Sequence, residues 1–162
     1  AIAKRAQVSA GYLYRHYPSK EDLVNDLLND SLHTIAEKID ELIQQNDRIE
    51  NIVEGIIGFI LESANTNPHR IKFVIMLLND FSIPNKPSVR EQILRIGETL
   101  IEKGRESGSI RNEITVEDFY IALVGIPLQY LATRFRFDFG PHDCNLDAET
   151  RKITELSMCA IK

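Results

Sequence analysis

Residues 4–23 read KRAQVSAGYLYRHYPSKEDL, and the sign of their charge sets the course of the whole reading. The chain carries 19 Lys and Arg against 24 Asp and Glu, a formal net charge of −5 over 162 residues. Yet Lys4, Arg5, Arg15 and Lys20 fall before the first carboxylate, Glu21, so all the acids lie downstream of an acid-free opening. Such asymmetry marks an end that faces a polyanion, joined to an acidic body.

This opening divides into two short helices and a tight turn. Ile2, Ala3 and Ala6 give the first helix a small apolar face while Lys4 and Arg5 face outward. Gln7-Val8-Ser9 forms the turn, with Val8 pointing inward and Ser9 placed to cap the second helix, Ala10–His16. That second helix commits only Leu13 to the core and leaves Tyr12, Tyr14, Arg15 and His16 mostly outside. Small Ala3 permits the close crossing that a helix-turn-helix needs, and the spacing to Val8 and Leu13 fits that unit. Pro18-Ser19-Lys20-Glu21-Asp22 then starts a long helix, Ser19 being the cap and Asp22 its capping-box partner. A lysine in the first turn, beside free N–H groups and the positive end of the helix dipole, suits a phosphate. A candidate reason for the missing acids is that this opening would lie against a DNA backbone.

Downstream, apolar residues recur at helical period throughout. Leu23, Leu27, Leu28, Leu32, Ile35, Ile39 and Leu42 predict a helix over Ser19–Gln45; further helices are predicted over Asp47–Ala64, Pro68–Phe81, Ser88–Glu106, Thr115–Arg134 and Asp147–Ile161. Thr115–Arg134 is the most apolar, with Pro127 expected to kink it. Phe137–Asn145, with Gly140-Pro141, reads as a loop. No alternating strand and no internal repeat occur. The fold class is all-α, about seven helices beyond the opening segment, with a head and connecting helix over 1–45 and a helical body over 46–162. The chain starts at Ala1 without Met, in what reads as mid-helix, so an incomplete amino terminus is expected, with the first helix of the head missing.

No apolar run approaches the roughly 18 residues of a membrane span. Cys144 and Cys159 form no disulfide framework, which points to a reducing cytoplasm. His142-Asp143-Cys144 lacks a second ligand pair and reads as a polar loop, so no metal and no cofactor are expected. His69 opens a helix, and His33 falls on an outer face.

IAKRAQVSAGYLYRHYPSKEDL, residues 2–23, resembles the DNA-binding signature of the TetR family of bacterial transcriptional regulators. The family's typical form is IA-x-x-A-G-V-S-x-G-T-L-Y-x-H/Y-F-x-S-K-E-x-L, and LY-x-x-x-x-SKE-x-L is its most specific part. The resemblance implies that Ala10, Gly11 and Tyr12 face base edges in the major groove. It places Tyr14, His16 and Lys20 at phosphate contacts, with Arg15 able to reach either. Gln7 stands where the family usually has glycine, so the turn must take a left-handed or altered conformation at some cost. Tyr12 replaces a usual small residue. The resemblance further implies an effector pocket between the central helices and a homodimer through the last two. Two-fold related recognition helices then read half-sites about 34 Å apart on a double-stranded operator.

For the pocket, Phe59, Phe73, Met76, Leu77, Phe81, Tyr120 and Gln129 are the candidate lining, each also readable as core. Gly55, Gly58, Gly97 and Gly125 interrupt helices and point to close packing or room for a ligand. The expected function is a ligand-responsive, non-enzymatic repressor released from a palindromic operator by a small molecule. The alternatives are a dimeric sensor or interaction protein without DNA binding, and an all-helical enzyme. For the enzyme the chain offers no phosphate loop and no nucleophile with an evident base.

Overall fold

The computed structural model describes residues 7, 9–79, 87–137 and 145–162. The first head helix expected from Ile2, Ala3, Lys4, Arg5 and Ala6 lies outside the described residues, as do Val8, Phe81 and His142-Asp143-Cys144. The described elements are helical, in the order α1 (Ala10–His16), α2 (Lys20–Gln45), α3 (Ile49–Thr66), α4 (Pro68–Leu78) and α5 (Pro87–Glu106). They continue with α6 (Val116–Tyr120), a π-helical turn (Ile121–Gly125), α7 (Ile126–Phe137) and α8 (Leu146–Ile161). The all-α expectation holds.

Local chemistry fixes the starts. Ser9 caps α1 by accepting the Tyr12 N–H at 3.1 Å. Ser19 and Asp22 close a reciprocal box at the start of α2, with the Asp22 N–H donating to Ser19 Oγ at 3.0 Å and the Ser19 N–H to Asp22 Oδ2 at 3.2 Å. Thr115 and Asp118 repeat the device at α6. Asn67 caps α4, whose first residue is Pro68, a position where the missing N–H costs nothing.

The core is organised around α3. Its Ile49, Ile52, Val53, Ile56, Ile57, Ile60, Leu61 and Ala64 are all buried, a stripe too wide for a one-sided surface helix. It packs most extensively on α8 and also on α2, α4 and α7. Burying an isoleucine as fully as Ile57 is worth roughly 1.5–3 kcal/mol. Gly97 of α5 lets Val116 approach, because a Cβ there would stand 2.6 Å from Val116 Cγ1.

Pro127 follows a change in the helical ladder. The apolar segment runs through the π-turn Ile121–Gly125, and the Ile126 N–H bonds the Ile121 carbonyl, just before the proline. A π-turn shifts the ladder by one residue where the proline cannot donate. No helix among the described residues is long and apolar enough to cross a membrane.

Candidate functional site

The head presents its polar residues to solvent. Ser9, Gly11, Tyr12, Tyr14, Arg15, His16 and Lys20 are exposed, Tyr12 by 55% and Tyr14 by 65%, whereas Leu13 and Tyr17 are half-buried. Ala10 is the first residue of α1. The Tyr12 and His16 rings stand one helical turn apart with centroids 4.7 Å from each other. Two large aromatics left in water beside Arg15 and Lys20, with no acid from Ser9 to Lys20, make a surface suited to a polyanion with stacked or apolar edges. Tyr17 ties this head to the long helix: its hydroxyl donates to Asp26 Oδ2 at 3.2 Å, and that carboxylate holds the phenol above its usual pKa.

Gln7 has a φ of 56°, the left-handed region, and is the non-glycine residue with positive φ among those described. The cost expected from the sequence at this position is present in the backbone.

Lys20 opens α2 directly, and the same helix then forms one wall of a cavity. The cavity, about 150 Å³, lies between α2, α3, α4, α5, α6, the π-turn and the start of α7. Leu28, Leu32, Ile35 and Ile39 contribute from α2, and the remaining wall is predominantly aliphatic. Phe59 and Tyr120 line it, and burial raises the Tyr120 phenol above its usual pKa, so it faces the cavity neutral.

The other sequence candidates lie elsewhere. On α4, Arg70, Ile71, Val74 and Leu78 face the cavity, and helical spacing turns Phe73, Met76 and Leu77 away from it. Met76 is 55% exposed. Gln129 is also exposed, with its amide 3.5 Å from Thr133 Oγ1. Phe81 lies outside the described residues. Arg70, a cation on the cavity wall, was not a sequence candidate; its place one turn into a helix opened by Asn67-Pro68 was legible, but not the element it would face. Among the described residues, no group of three or more His, Cys, Asp or Glu is arranged to hold a metal. His33 is on the outside, its Nε2 3.4 Å from Glu37.

Residues 1–27 match the family model described as bacterial regulatory proteins, tetR family. The nucleoid occlusion factor SlmA of Marinomonas sp. (strain MWYL1) is 31% identical over 68 residues, which are 42% of this chain and 34% of that protein. The match thus spans about a third of the curated relative. Among solved structures, a transcriptional regulator FadR from Bacillus subtilis, in complex with stearoyl-CoA, superposes with a TM-score of 0.71 at 19% identity. It covers 99% of this chain and 87% of that one. A bacterial regulatory protein in the tetR family from Rhodococcus RHA1 gives a TM-score of 0.68 at 16% identity, over 99% and 83% of the two chains. The head segment thus matches the tetR family model over residues 1–27, and the fold of the chain is that of these two solved regulators.

Proposed function

We propose that the protein is a dimeric, ligand-responsive transcriptional repressor, which leaves a palindromic operator when a small molecule with an apolar body enters the central cavity. The observation that carries this reading is the course of α2: one uninterrupted helix begins at the exposed, acid-free head and ends as a wall of the cavity. The head over 1–45 reads DNA, and the body over 46–162 senses and dimerises. Ala10, Gly11 and Tyr12 face the bases, Tyr14, His16 and Lys20 the phosphates, and Arg15 either, with Ser9 holding the reading helix by its cap.

A ligand loosens DNA only by preferring a head spacing that the operator rejects. FadR of Bacillus subtilis was solved with stearoyl-CoA, and the aliphatic wall here supports an effector with an apolar body. Exposed Ile121 on the π-turn and exposed Leu156 on α8 support pairing of the last two helical segments with those of a second copy.

The test is a titration of the protein against its own upstream DNA at several salt concentrations. Saturable binding by a dimer, with log K falling by about 0.9 per phosphate contacted per log unit of salt, supports the reading. Lys20→Ala then weakens binding alike for all sequences and lowers that slope by about 1. If neither upstream DNA nor a random-sequence pool yields binding above the non-specific level, the DNA-reading role falls.

A further inference from the structure

Arg70 contributes the charge among the described residues that line the cavity; the other polar linings are Ser31, Thr34, Ser63, Gln92 and Tyr120. Two of those hydroxyls are spent on their own helix, Ser31 Oγ donating to the Leu27 carbonyl at 2.9 Å and Thr34 Oγ1 to the Asp30 carbonyl at 3.0 Å. Arg70 is held loosely. Its Nη2 lies 3.4 Å from Thr34 Oγ1 and 3.9 Å from Asp30 Oδ2, and the Asp30 side chain is 79% exposed. Contacts of that length to a solvated partner contribute little. They also use one nitrogen of a guanidinium that has five N–H donors in a fixed fork.

Resting on the reading of the cavity as an effector site, we propose that the effector is an anionic amphiphile whose acid group binds Arg70 and displaces Asp30. An apolar body of about six carbons fills a cavity of this size. A carboxylate or phosphate at its end then emerges where Arg70 stands and accepts two parallel N–H bonds, geometry that the Asp30 contact does not reach. An acid group drawn against an aliphatic wall without a partner is costly, and Arg70, its side chain 41% exposed at the edge of that wall, supplies the partner.

The exchange also carries information. Arg70 belongs to α4, whereas Asp30 and Thr34 belong to α2, the helix that bears the head. While Asp30 and Thr34 keep the guanidinium, a weak contact joins α4 to α2. A ligand acid that takes the guanidinium frees α2 from this contact, so the ligand would favour a second placement of α2, as a population shift requires.

Titrations of the full chain with octanoate, octyl phosphate and 1-octanol, followed by amide and methyl chemical shifts, test this. Octanoate is expected to bind about tenfold tighter than octanol, the usual worth of a hydrogen bond to a charged group. Arg70→Gln is expected to bring octanoate down to octanol's affinity and leave octanol unchanged. Asp30→Asn removes the competitor and is expected to tighten octanoate alone; unchanged octanoate affinity in that variant overturns the exchange. Equal binding of acid and alcohol by the parent chain, or equal weakening of both by Arg70→Gln, overturns the role of Arg70. Preference for octanoate over octyl phosphate assigns a carboxylate, and the reverse assigns a phosphate. If none of the three shifts the Ile39, Ile60 or Leu100 methyls, the cavity is no effector site and both readings fall together.

Discussion

Arg134 and Glu149 meet across the end of the body, with Arg134 Nη1 3.0 Å from each carboxylate oxygen of a glutamate whose side chain is only 5% exposed. The Tyr130 hydroxyl donates to the same carboxylate. Arg134 and Tyr130 belong to α7 and Glu149 to α8, so this cluster sets how the last two helices lie together. Glu149→Ala removes the buried carboxylate that Arg134 and Tyr130 share. It is expected to destabilise the fold by roughly 3 kcal/mol, the usual result of removing one partner of a buried pair. Urea unfolding read by circular dichroism checks this, and Glu149→Gln is expected to recover part of the loss by keeping an acceptor for Tyr130.

The capping box at Ser19 gives a second expectation. Ser19→Ala removes the acceptor for the Asp22 N–H and the hydroxyl that donates to Asp22 Oδ2 at 2.7 Å. A loss of about 1 kcal/mol is expected, as for other N-caps. Because Asp22 answers the same residue, Ser19→Ala combined with Asp22→Ala should cost clearly less than the two separate losses together. A double-mutant cycle in urea measures the shortfall.

Gln7 makes the third. At a φ of 56° its Cβ is crowded against the backbone, a strain of about 1–2 kcal/mol that glycine does not feel. Glycine returns part of that gain as lost backbone entropy. Gln7→Gly should therefore slow hydrogen exchange at the Tyr12 and Leu13 amides by a few-fold, while Gln7→Val, with a branched Cβ, should speed it.

Glu50 predicts an acid-sensitive joint. A hydrogen bond from its own backbone amide, the Ser109 hydroxyl at 2.9 Å, and the charges of Arg48 and Lys162 lower its pKa, and burial opposes them in part. A carboxylate depressed in the fold contributes stability that is present above its unfolded value of about 4.5 and is lost as pH falls through the lower folded value. Glu50→Gln should accordingly flatten the acid side of a melting-temperature profile, with little change in slope at neutral pH.

What could be read from the sequence was local. Ser9, Ser19 and Asp22 announce their caps because the partners lie three residues away, and the acid-free opening is visible as charge alone. Helical period likewise located α3, predicted over Asp47–Ala64 and observed as Ile49–Thr66. The cavity was less legible. Period shows that α4 has apolar faces, but which face turns inward depends on its packing, and the face of Ile71, Val74 and Leu78 was chosen over that of Phe73 and Leu77. Pro127 was legible as an interruption, while the π-turn that accommodates it was not, because the extra residue is absorbed before the proline.

The 26 residues of α2 have a further consequence. At 1.5 Å per residue they form a rod about 39 Å long. A tilt of about 10° around its far end sweeps Lys20 through about 7 Å, roughly a fifth of one turn of duplex. Under the proposed function, small rearrangements beside Ile39 would thereby be magnified at Lys20, and operator binding would read out the cavity as an angle.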